Sequence, residues 1–408
     1  MNILSINKFY WLKGGSETVY FGEKNLLEKH GHTVIPFSMQ DKSNFPSEYS
    51  KFFVRNIDYE NAGLREKIIS AGRIIYSFEA RKKMTELLQN VQIDIAHFHI
   101  FQHQISPSVF DPLRKAGIPI VLSLHDLKPI CPNYKMYTQG HICEKCMGGK
   151  FYNCTLNKCT KNSTGKSLVN TIEMYFHHIA GYYDMVDRFI AISSFHKQKM
   201  IEFGFPSEKF SYIPNFIDLQ EYPVPNLDKE YILYFGRLSD DKGLDTLLEA
   251  STHRKDIPLV IAGTGPHEKH LKQKAQDLGL SNVKFVGYKS GGELTNLIGN
   301  TSFTILPSEL YENCPMTILE SMAMGKPVIG ARLGGIPELI NEGIDGYTFE
   351  KGNSEELARK IEYLWSNKEK RIELGQAGRK KIEERHTPEH HYDLLMKTYS
   401  NVISAKNN

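Results

Sequence analysis

The sequence predicts an α/β protein with two domains. Its 408 residues accommodate two domains of ordinary size, and 40% of the residues are apolar, which is enough for a core in each. Short apolar runs alternate with segments of helical pattern, as in parallel sheets whose strands are joined by helices. We place a first domain at residues 1–220, a second at 221–385, and a C-terminal helix at 386–408 that packs back towards the first domain.

The charge and composition of the sequence indicate which kinds of partner the protein can bind. The net charge of +3 is weakly basic, and the sequence lacks the dense Lys/Arg stripe typical of nucleic-acid binding, so we expect no nucleic-acid partner. Apolar runs all fall short of the ~18 residues of a membrane span, and the first residues are too polar for a signal peptide. The sequence therefore predicts a cytoplasmic protein.

The first domain opens with a βαβ unit. We predict strands at Asn2–Ile6 and Thr33–Phe37, and between them a helix at Ser16–Lys29 capped by its first residue. The preceding turn at Gly14 and Gly15 lacks the G-x-G-x-x-G spacing and the acidic residue of a dinucleotide site, so we expect no NAD. Two interpretations remain: an ordinary tight turn, or a bare backbone surface that a diphosphate or donor sugar can approach closely.

Histidines end two predicted strands of this domain. The segments Asp94–His99 and Pro119–His125 have the apolar character of parallel strands, whose carboxyl ends form the ligand-binding edge of an open sheet. They bring His97, His99, His125 and Asp126 to that edge. His97 and His99 flank a single residue and so point the same way, which favours a role in the core or behind the site for at least one of them.

Five of the six cysteines lie within one segment, at about 131–160. Disulfides are rare in the cytosol, and the spacing of Cys143, Cys146, Cys154 and Cys159 is compatible with a structural zinc site, in which Cys131 could replace any of the four. The loops between them cannot form much core, so the metal would supply folding energy. Unliganded thiols are the alternative. Because the segment follows the histidine edge, we expect it to frame one side of a site at that edge.

A helix predicted at Leu64–Asn90 mixes basic and apolar residues. Arg65, Lys67, Arg73 and the run Arg81-Lys82-Lys83 lie among isoleucines and aromatic residues. This pattern occurs in helices that lie on membrane surfaces, and equally in ordinary domain helices with one buried and one solvated face. Peripheral contact with the inner face of the membrane is therefore a hypothesis.

The second domain follows a polar, proline-bearing hinge at 221–229. Its first strand leads into a loop that carries Arg237 and Lys242, directly before a helix. Two cations beside the start of a helix form a clamp for a diphosphate. A later strand ends at the backbone groups of Gly287 and Tyr288, which we expect to read a nucleobase.

Two carboxylates surround a helix start near the end of this domain. Glu312 lies on the loop before the helix that Pro315 opens, and Glu320 lies roughly 7–8 Å further along the helix axis. The backbone N–H groups near Met316 and Thr317 are not paired within the first turn and can bind an anion such as a diphosphate. One carboxylate can then face a sugar while the other reaches a ribose.

Together these motifs resemble retaining glycosyltransferases of family 4, whose fold, GT-B, consists of two Rossmann-like domains facing across a cleft. The resemblance is carried by the GG-x-E turn at Gly14, the histidine at His125, the Gly-Arg-Leu and Lys-Gly runs at Arg237 and Lys242, and the carboxylates Glu312 and Glu320. It covers nearly the whole chain, from Gly14 to Tyr347. The cysteine-rich segment resembles an insert in some polysaccharide-assembly members and is not a general mark of the family.

The resemblance implies transfer of a sugar from a nucleoside-diphosphate donor to a hydroxyl of a glycan or lipid-linked glycan, with retention at the anomeric carbon. It implies that Glu312 contacts the donor sugar, that Glu320 binds the ribose, and that Arg237 and Lys242 hold the diphosphate. These fixed cations make a catalytic metal unnecessary, and no other cofactor is expected for catalysis.

The resemblance also implies that His125 contacts the donor sugar or lies beside the acceptor, with Asp126 on the acceptor side. The alternatives are a sugar-nucleotide epimerase or hydrolase on the same fold, or a subunit that binds sugar nucleotides without catalysis.

Overall fold

The structure, a computed structural model, describes residues 1–56, 64–224 and 230–407. It separates into two compact units. The N-terminal unit comprises Met1–Met136, Cys143–Ile213 and Tyr392–Asn408, and the C-terminal unit comprises Tyr137–Ile142 and Pro214–His391. The units therefore divide after Ile213, whereas the sequence analysis placed the boundary after residue 220. Residues 225–229 of the proposed hinge lie outside the described residues.

The strands are short and regular. In chain order they are β1 Asn2–Ile6, β2 Thr33–Phe37, β3 Ile95–Phe98, β4 Ile120–Leu124, β5 Tyr137–Thr138, β6 His141–Ile142, β7 Arg188–Ala191, β8 Phe210–Tyr212, β9 Ile232–Phe235, β10 Leu259–Ala262, β11 Val283–Gly287, β12 Phe303–Leu306, β13 Val328–Ala331 and β14 Gly346–Phe349.

Helices connect most of these strands. They are α1 Gly15–Lys29, α2 Leu64–Ile75, α3 Phe78–Asn90, α4 Phe110–Lys115, α5 Tyr152–Leu156, α6 Thr164–Ile179, α7 Ser194–Phe203, α8 Leu244–Ser251, α9 Glu268–Asp277, α10 Gly291–Asn300, α11 Met316–Ala323, α12 Ile336–Leu339, α13 Ser354–Ser366, α14 Lys368–Arg385 and α15 Pro388–Asn407. Within the described ranges, none of them is both long enough and apolar enough to cross a membrane.

Each unit is built on a parallel sheet of six strands, which confirms the predicted α/β architecture. The N-terminal sheet has the order β2-β1-β3-β4-β7-β8, and the C-terminal sheet has the order β11-β10-β9-β12-β13-β14. Strands such as β4, β9 and β12 are buried along their whole length, as expected for parallel strands covered on both faces.

The strand orders predict where ligands bind. The direction of strand succession reverses between β1 and β3 in the N-terminal sheet, and between β9 and β12 in the C-terminal sheet. Open α/β sheets bind ligands beyond the carboxyl ends of the strands at such a reversal. The loops that follow these four strands, and their immediate neighbours, are therefore the places to look for a site.

Two predicted helix boundaries are wrong. The first helix begins at Gly15, and its N-cap is Gly14 and not Ser16 as predicted. The Ser16 hydroxyl donates to Glu17 Oε1 at 3.1 Å and is therefore not used to cap the helix. The predicted helix Leu64–Asn90 is two helices, α2 and α3. Ser77 between them has an extended backbone, and its side chain accepts from the N–H of Ala80, which starts α3 anew. The side chains of residues 64–68, including Arg65 and Lys67, lie outside the described part.

The C-terminal helix contributes to the core of the N-terminal unit. Leu395, Tyr399 and Val402 of α15 are at most 5% exposed and pack in one cluster with residues of β1, β2, β3, β4 and β7. This cluster lies on the face of the sheet that α15 covers.

Candidate active site

The loops after β9 and β12 are in direct contact at the strand reversal of the C-terminal sheet. Gly243 has a φ of +67°, and a Cβ at this position would lie 1.8 Å from the carbonyl oxygen of Pro307, so only glycine allows the two loops to approach. The N–H of Glu309 donates to the carbonyl of Asp241 at 3.0 Å, and the Thr246 hydroxyl donates to Glu309 Oε1 at 3.0 Å. The two loops are thus fixed to each other.

An ion pair joins two predicted site residues across these loops. Lys242 Nζ lies 2.5 Å from Glu312 Oε1, and the Ser308 hydroxyl donates to the same oxygen at 2.5 Å. The backbone of Glu312 is held as well, because its carbonyl accepts from the N–H of Gly335 at 2.7 Å. At Gly334, with φ +60°, a Cβ would lie 2.4 Å from that carbonyl oxygen. The sequence analysis missed Ser308, although a hydroxyl residue two positions after the end of a strand is a usable signal.

The second carboxylate lies on α11. This helix begins at Met316 directly after Pro315, as predicted, and Glu320 is its fifth residue. The Tyr222 hydroxyl donates to Glu320 Oε1 at 3.2 Å, and burial raises the pKa of Glu320 to about 7. Tyr222 was not predicted, because it lies far from Glu320 in the sequence.

The first turn of α11 has the groups of an anion site. Met316 and Thr317 are half-buried, and they supply the first backbone N–H groups of the helix. The Thr317 hydroxyl oxygen is buried and makes no hydrogen bond to any residue that the structure describes. An oxyanion placed at this helix start could accept from both the backbone and this hydroxyl.

Three other predicted residues lie on neighbouring loops of the same sheet edge. The Arg237 side chain is exposed, and its backbone carbonyl accepts from the Tyr234 hydroxyl at 2.9 Å. Gly287 ends β11 with a φ of +73°, and its carbonyl accepts from the N–H of Gly263 at 2.8 Å. Tyr288 follows and is 70% exposed. These groups are accessible at the carboxyl ends of β9 and β11.

In the N-terminal unit, Gly14 and Gly15 are exposed at the start of α1. The backbone of Gly14 is extended, and a Cβ there would meet only Glu17 Oε2, at an ordinary contact distance of 3.6 Å. The internal packing of the protein therefore does not require glycine at this position.

The histidines form a connected layer at the carboxyl ends of β3 and β4. His125 Nε2 and His99 Nδ1 are 3.0 Å apart and their rings are stacked, while His99 Nε2 lies 3.4 Å from Glu23 Oε1. His97 Nδ1 lies 2.9 Å from the same carboxylate oxygen. The rings of His97 and His99 face the same way, with centroids 4.3 Å apart, as predicted. Burial, followed by the charge of His99, holds the pKa of His125 well below its usual range.

The sequence analysis missed Glu23. A signal for it exists, because Glu23 lies on the same buried face of α1 as Val19, Tyr20, Leu26 and Leu27. A carboxylate among apolar helix positions needs polar partners in the core, and the two histidines are those partners.

Asp126 lies beside a second polar group of this unit. Burial raises its pKa, and its Oδ1 accepts from the N–H of Lys128 at 2.9 Å. The Lys128 ammonium is buried against Glu173 Oε2 at 2.7 Å, and His103 Nε2 lies 3.3 Å from the same oxygen. Although burial opposes ionisation, Lys128 and His103 hold the pKa of Glu173 below its usual range. The sequence analysis did not predict this buried network.

The thiols of the cysteine-rich segment lie near one another. Burial and the neighbouring thiols of Cys131, Cys159 and Cys143 raise the pKa of Cys146 to about 12. Cys146 and Cys154 pack with Phe151 and Met174 in a small apolar cluster. The expectation that this segment forms little core is therefore wrong, because Phe151 is only 1% exposed.

Among the described residues, two groups of three side chains bring metal-binding atoms within 4.8 Å of one another: Glu23 with His97 and His99, and Asp245 with His267 and His270. No group of three cysteine thiols in the described part of the chain meets this distance limit. Zinc binding by Cys143, Cys146, Cys154 and Cys159, or with Cys131 in place of one of them, stays a prediction.

Comparison with known proteins identifies the family. A model described as Glycosyltransferase Family 4 matches residues 13–221, just over half of the chain, and one described as Glycosyl transferases group 1 matches residues 218–381. The chain is similar to the O-antigen chain mannosyltransferase C of Escherichia coli, with 30% identity over 178 residues. This alignment covers 43% of the chain and 48% of that protein, so the chain spans about half the length of this curated relative.

Solved structures show the same fold. A glycosyltransferase from Rickettsia africae matches with a TM-score of 0.70 and 19% identity over 98% of both chains. HepE of Anabaena, solved in complex with UDP, matches with a TM-score of 0.67 and 18% identity over 98% of this chain and 100% of that one. The predicted GT-B fold is confirmed, and with the match of the family model to residues 13–221 it follows that the chain belongs to glycosyltransferase family 4.

Proposed function

We propose that the protein is a retaining glycosyltransferase that moves a sugar from a nucleoside-diphosphate donor to a hydroxyl of a glycan or lipid-linked glycan. The observation that carries this proposal is the ion pair of Lys242 and Glu312 at the strand reversal of the C-terminal sheet, where α/β sheets of this order bind nucleotides. The relative that transfers mannose to an O-antigen chain and the structure of HepE with UDP support these classes of acceptor and donor.

The diphosphate lies, in this proposal, between Arg237, Lys242 and the first turn of α11. The two cations and the N–H groups of Met316 and Thr317 face the charge that develops on the β-phosphate as its bond to the anomeric carbon breaks. Fixed donors aimed at developing charge stabilise a transition state without reorganisation. Since two cations already serve this purpose, the transfer is metal-independent in this proposal.

Glu312 acts at the sugar. Lys242 and Ser308 hold its Oε1, and we assign Oε2 to the donor sugar, where the carboxylate stabilises positive charge at the anomeric carbon. The acceptor oxygen bonds to the anomeric carbon on the face from which the phosphate departs. Its proton passes to the departing phosphate oxygen, so the anomeric configuration is retained and no protein nucleophile is needed.

The other residues bind and orient. Glu320 accepts from the ribose hydroxyls, and the backbone of Gly287 and Tyr288 reads the base. In the N-terminal unit, the bare backbone at Gly14 and Gly15 allows close approach of the donor. The internal packing of the protein does not require glycine at position 14, which supports this role. His125 orients a sugar hydroxyl, and Asp126 lies on the acceptor side.

We also propose a structural zinc ion in the cysteine-rich segment. Cys143, Cys146, Cys154 and Cys159 supply four soft ligands, and Cys131 could take the place of one of them. Zinc would bind the thiolates and lower their otherwise raised pKa values.

The decisive experiment incubates UDP-, GDP- and ADP-sugars with the wild type and Glu312→Gln, with and without lipid-linked glycan acceptors, and follows released nucleoside diphosphate and glycosylated product. Glu309→Gln is the matched control, because Glu309 lies on the same loop and is bonded to Thr246. Acceptor-dependent turnover of one donor that only Glu312→Gln abolishes supports the proposal. Release of nucleoside diphosphate without an acceptor would indicate a hydrolase. Conversion of the donor into a different sugar nucleotide would indicate an epimerase. Tight binding without turnover would indicate a non-catalytic subunit.

A further inference from the structure

The polar face of α6 is the buried one. Ser167, Asn170, Thr171, Glu173 and His177 are at most 5% exposed. Their polar atoms have specific partners: Asn170 Nδ2 donates to Thr160 Oγ1 at 3.0 Å, Thr171 Oγ1 donates to the Phe151 carbonyl at 3.2 Å, and Glu173 pairs with Lys128. These contacts fix the rotation of the helix about its axis.

The opposite face of α6 is apolar and exposed. Leu168 is 47% exposed, Ile172 46%, Phe176 38% and Ile179 84%. Steps of four, four and three residues place these side chains in one stripe along the helix. After Lys166 in the first turn, every exposed residue of the helix belongs to this stripe. A helix that covers a core has the reverse arrangement, with its apolar stripe inward and its polar residues outward.

The stripe continues onto a neighbouring element. The Phe176 ring lies 6.5 Å from that of Tyr76, which contacts the Phe78 ring at 4.8 Å. Phe78 is the first residue of α3 and is 76% exposed. We name Leu168, Ile172, Phe176, Ile179 and Phe78 the α6 apolar face. A connected apolar surface on two elements indicates an interaction site and not a chance exposure.

The segment that leads into α6 is strongly basic. Residues 145–166 contain five lysines, at 145, 150, 158, 161 and 166, and no aspartate or glutamate. All five lysines are exposed. On α3, the side chains of Arg81 and Lys82 are 51% and 79% exposed, but each lies 3.9 Å from a carboxylate, that of Asp111 and of Glu86 respectively. The net positive charge therefore comes from the lysines of 145–166.

We propose that the α6 apolar face docks onto a membrane surface that contains anionic lipids. The four stripe residues and Phe78 enter the boundary between headgroups and acyl chains, and the lysines of 145–166 contact lipid phosphates. A second copy of this chain fits the face less well, because its own lysines would meet those of the first. This surface is centred on α6 and shares Phe78, Arg81 and Lys82 with the predicted helix at 64–90. Its biological purpose rests on the proposed lipid-linked acceptor.

The test is co-sedimentation with vesicles of phosphatidylcholine, with and without phosphatidylglycerol. The wild type should bind the anionic vesicles, and Ile179→Asp should bind them about ten-fold more weakly or worse, because a carboxylate replaces the most exposed apolar group of the stripe. Ile372→Asp is the matched control, since Ile372 is 51% exposed on α14 of the other unit, and it should bind like the wild type. Ile172→Ser, a milder change, should weaken binding in the same direction.

The charges are tested separately. Lys158→Glu and Lys166→Glu should each weaken binding about five-fold at low salt and less at high salt, while Lys380→Glu on α14 should have no effect. Equal binding of wild type and stripe variants, or no binding of the wild type, would overturn the proposal. So would a dimer, measured by light scattering, that Ile179→Asp dissociates while vesicle binding is absent.

Nucleotide affinity and thermal unfolding, measured on the same variants, separate this inference from the proposed function. Unchanged values show that Ile179→Asp is folded and that only docking is lost. Conversely, a protein that binds vesicles and turns over no donor retains the docking surface and loses the enzymatic proposal.

Discussion

The ammonium of Lys242 lies 2.5 Å from the carboxylate of Glu312, across the point where the strand order of the C-terminal sheet reverses. The pair links the loop assigned to the diphosphate with the loop assigned to the sugar. Each charge stabilises the other in its partly buried position, and Ser308 fixes the carboxylate from a third side. In the proposed reaction, the donor separates into a cationic sugar and an anionic diphosphate, and each of the two side chains would face the fragment of opposite charge.

Lys242→Ala should weaken binding of the nucleoside diphosphate by about 10- to 100-fold, the range expected for loss of a charge-assisted hydrogen bond. Isothermal titration with the diphosphate of the preferred donor measures the change. Lys255→Ala is the control, because the Lys255 ammonium donates to the Leu278 carbonyl on the surface of the same unit. Normal affinity of Lys242→Ala would remove the clamp assignment.

Gly14→Ala should reduce donor turnover while leaving the fold intact. The Gly14 backbone is extended and a Cβ meets only an ordinary contact, so the cost should be about 0.5 kcal/mol, from the weaker N-cap. Gly165→Ala is the control, because a Cβ at this exposed position in α6 would meet no atom within 4 Å. It should lower neither the activity nor the stability. Full activity of Gly14→Ala would show that the turn is structural only. Initial rates and thermal unfolding provide the two readouts.

Glu320 should make nucleotide binding and stability depend on pH in opposite senses. Its folded-state pKa of about 7 lies above the ordinary value of 4.5, so the native state retains a proton that the unfolded chain has released between these values. The contribution of Glu320 to the free energy of unfolding is therefore complete below pH 4.5 and is lost as the pH rises through about 7. The carboxylate form is the better acceptor for ribose hydroxyls, so nucleotide affinity should rise over the upper part of this window.

Glu320→Gln should remove both dependences. At pH 8 the variant should be more stable than the wild type by about 2 kcal/mol in urea unfolding, and its nucleotide affinity should be weak and flat with pH. A wild-type affinity that does not change between pH 6 and 8 would contradict the ribose assignment.

His125→Ala should lower turnover more than nucleotide affinity, since His125 is assigned to a sugar hydroxyl and not to the nucleotide. Its pKa is held well below the usual 6.5, so the imidazole is uncharged near pH 7. Titration of His125 should therefore cause no change in activity between pH 6 and 8. The pH profile of kcat/KM checks this expectation. His253→Ala, at an exposed histidine of the other unit, is the control. An activity limb near pH 6.5 that His125→Ala abolishes would contradict the neutral role.

Purified protein should contain about one zinc ion per chain if four thiolates bind it. Cys146→Ser should lower both the zinc content and the unfolding temperature, because the metal supplies folding energy to the segment. Cys314→Ser is the control, as Cys314 is buried outside the segment. Comparison of Cys131→Ser with Cys154→Ser identifies the fourth ligand. Full stability in the absence of bound metal would favour unliganded thiols.

Much of the sheet architecture was predictable from the sequence. Parallel strands are buried on both faces and read as short apolar runs, so β1 and β2 were predicted with their observed bounds. Helix ends were less predictable. At Ser16 a hydroxyl that could cap the helix instead bonds to its neighbour, and at Ser77 a capping hydroxyl inside an apparently continuous helical pattern starts a second helix.

The candidate site was predictable where chemistry is local in sequence. Lys242 and Glu312 lie on loops that follow strands, and Glu320 lies one turn into the helix that starts after Pro315, so their positions can be predicted from the spacing. The ion pair itself, Ser308 and Tyr222 depend on which strands are neighbours, which the sequence does not state. The reversed polarity of α6 was hidden for the same reason, because its burial is decided by distant partners such as Lys128.

The hydroxyl of Tyr399 on α15 lies 2.7 Å from His97 Nδ1, beneath the histidine layer. Because α15 packs in one core cluster with β1 and β2, these strands cannot bury that apolar face until α15 has been synthesised. During this interval the face is open to other chains. Expression of a shortened chain that ends before α15 should therefore give aggregated protein, because the core of the N-terminal unit then lacks the side chains of Leu395, Tyr399 and Val402.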